Sequence, residues 1–356
     1  MAQQPMMKAQ VFRGVNQLRY EDVPIPVLEP DEVLVKVEVA GLSRLDIKKI
    51  CHPFYEPPRI FGEEIAGTIA SVGDRVTDWW EGQRVVVIPH IPCLRCAYCL
   101  QDKFSLCKTY DEITTTAGFI PSGGGFAEYV KVPSHVVQNG GLIAIPGYVN
   151  SERASFVYPV NCCLKAIEKA KISPGQIVLV VGVGGLGLLL ILLAKYFGAR
   201  PIATDLRPAR LDKALAAGAE AVFLADDDDV HTKINSFSGR LGVDTSLLSA
   251  PTEFAFFQGL DCTRKGGKII LCSEFPNLGI PINPNILYRR EIDLMGSHGA
   301  NFKLQSMAAD IVFNKRINLE QFISDRFSLK ELPEAIDRSH NPTADTCKIL
   351  ILPNKS

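Results

Sequence analysis

Cys93, Cys96, Cys99 and Cys107 follow a CxxCxxC spacing with seven residues before the fourth, inside the loop-like stretch Pro92 to Lys108. Four thiolates can close a tetrahedron on zinc, and a metal with four protein ligands has no position left for water, so such a site is structural. A redox CxxC pair normally opens a helix in a thioredoxin-like setting, which this Pro- and Lys-containing loop does not offer. The chain has ten cysteines and the other six are scattered. That is the distribution of metal binding in a reducing compartment rather than of a disulfide framework, and a cytoplasmic location is expected.

A second chemical signature is Gly182-Val-Gly184-Gly185-Leu186-Gly187, entered directly from the apolar run Ile177 to Val181 and followed by a Leu- and Ala-rich helical stretch to Phe197. In that context Gly182 permits a tight strand-to-helix turn, Gly184 lets backbone approach a pyrophosphate, and Gly187 lets helix and strand pack closely. Phosphates then meet the free N–H groups and positive dipole end of a helix. Asp205 ends the next strand, about twenty residues on, where a carboxylate accepts hydrogen bonds from ribose hydroxyls and repels a 2′-phosphate. NAD is therefore favoured over NADP. Arg207 and Arg210 follow closely and can partly neutralise that repulsion, which leaves some NADP use open.

The elements that must hold these motifs divide in two. Residues 8 to 40 alternate short β-rich runs with Pro and Gly punctuation, and the rhythm continues through Ile65 to Val72, Arg84 to Ile88 and Gly125 to Val132. This is a β-rich, barrel-like domain with its function on loops. From about Ser155, helices alternate with buried apolar strands at Ile177, Arg200, Ala221, Thr245 and Lys268, which implies a doubly wound parallel sheet. A β-rich tail around Phe327 and Lys348 to Leu352 completes the first domain. The fold class is α/β, with domains at 1–158 plus 300–356 and at 159–299, and a cysteine lobe at 92–108. The run Asp226 to Asp229 reads as a solvated loop.

Bulk properties agree with a folded enzyme. The 356 residues exceed what one small core fills. Hydrophobic residues make up 47% and charged residues 22%, with a formal net charge of −1. No basic field exists for a phosphate backbone or an anionic membrane, so nucleic acid and membrane are not expected partners. Neither a signal peptide nor a membrane span is read: Lys8 has no following apolar region, and Ile177 to Ala194 is interrupted by four glycines.

Several segments together resemble the medium-chain, zinc-type alcohol dehydrogenase family over essentially the whole chain, in particular its sorbitol, threonine and cyclitol dehydrogenase branch. They are Gly41-Leu-Ser-Arg-Leu-Asp46, Gly62-Glu-Glu64 with Ile-Ala-Gly-Thr after it, the cysteine lobe, Gly125-Phe-Ala-Glu-Tyr-Val130, the glycine fingerprint, and Asn285-Ile-Leu-Tyr-Arg-Arg-Glu291 running into Gly296-Ser297. The resemblance implies a GroES-like catalytic domain split around a Rossmann cofactor domain, an active site between them, one structural zinc per chain, and a homodimer or homotetramer acting on a small molecule.

The resemblance breaks at the catalytic zinc. The family's three ligand positions fall here on Ser43, Glu63 and Tyr158, and its proton-relay positions on Leu45 and Lys48. Asp46 matches the aspartate that orients a ligand histidine, and Glu64 the neighbouring glutamate. With neutral Ser43 and Tyr158, zinc loses two strong donors, and its affinity falls steeply. Loss of the catalytic zinc is expected; a rearranged site would draw on Glu63, Glu64, Cys51 and His52. Without a metal to polarise the substrate oxygen, proton handling passes to side chains, with Tyr158, Lys48, Glu63 and His52 as candidates. Each also has a structural reading, as packing at the domain junction, a solvated helix residue or a loop residue. Cys162 and Cys163 are expected to line the nicotinamide face as small apolar groups.

The expected function is NAD(H)-dependent hydride transfer to or from a carbonyl or polyol-type substrate. Two alternatives stand beside it: zinc-independent reduction of a conjugated C=C or iminium, and a non-catalytic NAD-binding protein.

Overall fold

β-Branched residues and turn-forming Gly, Pro and Asp set the strand rhythm seen in the computed structural model, which describes residues 4–275, 279–341, 343 and 346–354. The chain divides into two units: Met1–Tyr158 with Gln305–Lys315 and Leu319–Ser356, and Pro159–Leu304 with Arg316–Asn318. No helix among the described residues is long and apolar enough to cross a membrane.

In chain order the strands are β1 (Met6–Gly14), β2 (Gln17–Pro24), β3 (Val33–Leu42), β4 (Glu64–Val72), β5 (Arg84–Val87), β6 (Tyr129–Val132) and β7 (Leu142–Ala144). The second unit contributes β8 (Ile177–Val181), β9 (Arg200–Asp205), β10 (Ala221–Leu224), β11 (Val243–Leu248), β12 (Thr263–Leu271) and β13 (Asp293–Gly296), and the tail adds β14 (Ile323–Ser328) and β15 (Lys348–Leu352).

Among the described residues, the first unit holds a β1–β2 hairpin and a seven-stranded sheet in the order β14-β15-β3-β4-β5-β7, with β6 also on β3. The antiparallel registers matter for the site. Gly41 lies opposite Glu64, Ile65 opposite Val87, and Ile349 opposite Leu42. The ends of β3, β4, β5 and β15 are thereby gathered, although they lie up to three hundred residues apart in the chain. Arg153, 1% exposed, ties the returning segment down by donating to the Val312 carbonyl and to Glu320, each at 2.5 Å.

The second unit is a six-stranded sheet ordered β10-β9-β8-β11-β12-β13, every pairing parallel. Strands buried on both faces need near-continuous apolar runs, and Leu179, Val181, Ile202, Leu248 and Ile269 supply them, packed with Phe256 and Leu260 of a covering helix. Each such side chain contributes about 1.5–3 kcal/mol by leaving water. Strand order reverses next to β8, and the crevice at such a reversal is where α/β sheets bind ligands. The chain returns to the first unit at Gln305 rather than at 300, because Asn301 is held to the second. Its N–H donates to Asn161 Oδ1 at 3.1 Å and its side-chain amide to Glu168 at 2.9 Å.

Candidate functional site

In the second unit the glycines behave as their spacing implies. Gly182, at the end of β8, has φ +90°, and a Cβ there would lie 2.6 Å from the Ala250 methyl. A Cβ on Gly187 would lie 2.1 Å from the Gly182 carbonyl oxygen, so the helix Gly185–Tyr196 packs on the turn only with glycine at that position. Gly184 faces open space, with nothing within 4 Å of where its Cβ would stand. Being the N-cap, it provides no side chain to close off the N–H groups that Gly185 and Leu186 bring to the first turn. The helix N-terminus is thus left with a bare approach, the geometry that suits an anion.

Asp205 is 7% exposed at the end of β9. One carboxylate oxygen accepts from Val183 N–H at 2.7 Å, inside the glycine turn, and the other from Arg207 N–H at 3.0 Å. The Arg210 guanidinium lies 3.6 Å away. Asp205 therefore braces the turn while keeping one edge beside a cation. Cys163 is buried, with its thiol 3.9 Å from the Leu186 carbonyl, whereas Cys162, one residue earlier on the helix Val157–Ala170, is partly exposed.

In the first unit the four lobe cysteines come together. Their sulfurs all lie within 4.8 Å of one another, with Cys93 to Cys99 at 3.9 Å and Cys96 to Cys99 at 3.5 Å. A tetrahedral zinc with Zn–S of about 2.3 Å sets S···S near 3.8 Å. The Arg95 N–H, acting against burial, holds the Cys93 thiol down at about 6, while burial and then proton sharing with Cys96 push Cys99 up to about 12. Four thiolates cannot share this volume without a cation between them. Donor type, number and spacing all fit zinc.

The positions that match the catalytic-zinc ligands are occupied differently. Ser43 is the N-cap of the helix Arg44–Cys51: its hydroxyl accepts from Asp46 N–H at 3.0 Å and donates to Asp46 Oδ2 at 2.6 Å, and its own N–H donates to the same carboxylate at 3.0 Å. The other oxygen of Asp46 receives Gly62 N–H at 3.1 Å. Asp46 thus fastens the helix start to the Gly62 turn instead of orienting a histidine ligand. Burial, then the charge of Glu63, push its carboxyl up to about 6 against the pull of Lys49.

Glu63 is buried and one of its oxygens, Oε1, takes both the Lys49 ammonium and, at 3.3 Å, His90 Nε2. Burial alone would raise its pKa; Lys49 and then His90 outweigh that and hold it well below the ordinary carboxylate range. For Lys49, burial is likewise outweighed by Glu63 and Asp46, and its pKa is raised. The ammonium also lies 5.7 Å from the Tyr55 ring centre and 5.9 Å from that of Phe61. His90 stacks on Tyr110 at 5.1 Å, its Nδ1 lies 2.8 Å from the Tyr110 carbonyl, and its ring is 6.3 Å from that of Tyr158. Tyr158 is 8% exposed.

The remaining candidates go elsewhere. Lys48 sits with its ammonium 5.3 Å over the Phe54 ring, and His52, exposed at the end of the same helix, has its ring 5.6 Å from Phe54. Glu64 is bonded to Lys348 of β15, and that ammonium also reaches the Leu42 carbonyl at 3.3 Å. Among the described residues, the lobe cysteines are the one group of three or more potential ligands whose donor atoms converge; Glu63, Glu64, Cys51 and His52 are not gathered in such a group. Lys49 and His90, not singled out from the sequence, are the side chains that meet Glu63. For Lys49 the signal was available: Lys49 and Ile50 follow Asp46 at spacings of three and four on the buried face of the helix, whereas Lys48 does not lie on it.

Residues 29–141 match the family model described as the alcohol dehydrogenase GroES-like domain, and residues 185–314 match that described as zinc-binding dehydrogenase. The chain is 30% identical over 354 residues to sorbitol dehydrogenase of Bombyx mori, covering 96% of this chain and 97% of that protein. It is 29% identical over 359 residues to sorbitol dehydrogenase of Bacillus subtilis (strain 168), covering 98% of each. A protein from Sinorhizobium meliloti 1021, crystallised with NADP bound, superposes with a TM-score of 0.87 at 30% identity, covering 98% of this chain and all of that one.

Proposed function

The chain belongs to the medium-chain, zinc-type alcohol dehydrogenase family, in its sorbitol dehydrogenase-like branch, and is an NAD(P)-dependent oxidoreductase; from that premise we propose hydride transfer between the nicotinamide and a polyol-type secondary alcohol or its ketone, without a catalytic zinc. The observation that carries the zinc-free part is the occupation of the ligand positions: Ser43 is spent on Asp46, Glu63 on Lys49 and His90, and Tyr158 offers a neutral phenol. A divalent ion would have to displace a buried ammonium from a carboxylate to gain one good donor. The lobe cysteines would hold the structural zinc, cross-linking residues 93–107.

The nicotinamide cofactor supplies the hydride acceptor or donor. The chain's own contribution is positioning. The Gly185 turn would take the pyrophosphate, and Asp205 would take the adenosine ribose with NAD preferred and Arg210 tempering the exclusion of NADP. Cys162, partly exposed, would line the ring face of the cofactor, with Cys163 buried behind it. A homodimer or homotetramer in the cytoplasm fits this reading.

The test is a purified chain without added metal, assayed with sorbitol and NAD⁺ and with D-xylulose and NADH. Cofactor turnover with about one zinc per chain is expected. A second zinc whose removal abolishes turnover would overturn the zinc-free reading; no turnover with any polyol or ketose would overturn the substrate class. Asp205→Ala should narrow the ratio of NADH to NADPH affinity by about 10-fold, roughly the loss of one charge-assisted contact. An unchanged ratio in fluorescence titrations would mean that the carboxylate only braces the turn.

A further inference from the structure

A carboxylate buried at the family's metal-ligand position has to be neutralised, and here the neutralising cation is part of the chain. Lys49 and Glu63 are 8% and 5% exposed at their side chains, and a second buried carboxylate, Asp46, lies one helical turn before Lys49. An ion pair so thoroughly removed from water is a poor device for stability alone, since apolar residues of equal volume usually serve as well. Its geometry is specific, because Oε1 of Glu63 takes the Lys49 Nζ donor and lies 3.3 Å from His90 Nε2, which can donate to it only once His90 is protonated. The Tyr110 carbonyl can only accept, so the 2.8 Å contact fixes the proton on Nδ1 of His90 and leaves Nε2 as the nitrogen that gains or loses one. A proton gained there faces the Glu63 carboxylate.

We propose that the Lys49 ammonium is a built-in substitute for the divalent cation of this family: a fixed positive charge, held in place by Glu63, that receives the oxygen of the substrate alcohol, with His90 as the proton acceptor beside it. The proposal rests on the alcohol dehydrogenase reading above and supplies the groups that reading leaves open. In the oxidation direction the C–H bond breaks with both electrons passing to the oxidised nicotinamide, the hydroxyl proton goes to His90 Nε2, and the C=O bond forms beside Nζ. Reduction reverses each transfer. Lys49 keeps its proton throughout and acts by charge, as preorganised donors do where a negative oxygen develops.

Removing the ammonium leaves Glu63 Oε1 and His90 Nε2 as two donors beside a vacancy that a metal can fill, which gives a readout independent of turnover. Lys49→Ala, with zinc in the cysteine lobe, is titrated with Co²⁺ and followed by visible absorption. One further cobalt per chain is expected, absent from wild type and lost again in Lys49→Ala/Glu63→Gln, together with an oxidation rate for sorbitol lowered about 10²-fold or more at unchanged NADH affinity. No additional cobalt in Lys49→Ala, or cobalt that persists in the double variant, would overturn the proposal. If Lys49→Ala does not fold, Lys49→Gln/Glu63→Gln removes both charges together and carries the test: it should bind NADH normally and lose turnover, and a normal rate would overturn it. A wild type inactive on sorbitol, beside a Lys49→Ala that gains cobalt, would sink the polyol reading and keep the cation site.

Discussion

Cys99→Ser is expected to strip the lobe of zinc and lower the melting temperature by roughly 5–10 °C, while NADH still binds. Cys99 is 4% exposed and its sulfur is within 3.9 Å of two others, so a serine hydroxyl there leaves three thiolates around a metal that needs four. Structural zinc sites bind with about 10–16 kcal/mol in isolated fingers. Only part of that appears as global stability here, because the lobe is one loop of a larger unit; a few kcal/mol shifts the melting point by about 2–4 °C each in domains of this size. Local consequences should be stronger, since Leu100 and Leu106 are exposed flanks on the short turns between cysteines. Protease cutting within 94–107 should rise as zinc falls. Unchanged zinc content and melting temperature would show that the metal is not bound there. Loss of hydride transfer in a variant of normal stability would make the lobe part of the chemistry instead.

Glu63→Ala should cost more than any other single substitution in the cluster, about 3–5 kcal/mol, because it leaves the Lys49 ammonium buried without its partner. Lys49→Gln/Glu63→Gln should recover most of that loss, which separates the charge left behind from the volume removed. The pH dependence has a definite sign. A carboxyl held below its unfolded range contributes stability at pH above about 4.5 and loses it as the pH falls. The difference between wild type and Glu63→Ala should therefore shrink in acid. Urea unfolding at neutral and acidic pH measures it, and a difference that grows in acid would mean Glu63 is protonated in the folded chain.

What could be seen in advance was what local spacing encodes. The cysteine lobe and the glycine turn lie within short windows, where residue type and separation nearly dictate geometry. Strand positions were legible for the same reason. The Lys49–Glu63–His90 cluster was less so. The choice between Lys48 and Lys49 depends on helical phase, since one residue turns a side chain by about 100° and sends one lysine to Phe54, the other to Glu63. His90 belongs to no motif. It arrives because β4 and β5 pair with Ile65 opposite Val87, so that continuing the register beyond both strand ends brings the neighbourhood of residue 90 to Glu63. Lys348 reaches Glu64 through two such pairings, β15 on β3 and β3 on β4, and no window of sequence contains them.

That last pairing also imposes an order on synthesis. The edge of β3 at residues 40–42 is completed by β15, and the Glu64 carboxylate gains its Lys348 ammonium only when the same strand docks. More than three hundred residues separate the two, about 15–60 s of translation at roughly 5–20 residues per second. Over that interval the emerging chain carries an open strand edge and a carboxylate built for a partner not yet made. The parallel sheet of the second unit, complete by Gly296, is under no such delay. A chain arrested once residue 318 has left the ribosome would hold a finished cofactor domain beside an unfinished catalytic one, and that unsatisfied edge is the surface a chaperone would have to shield.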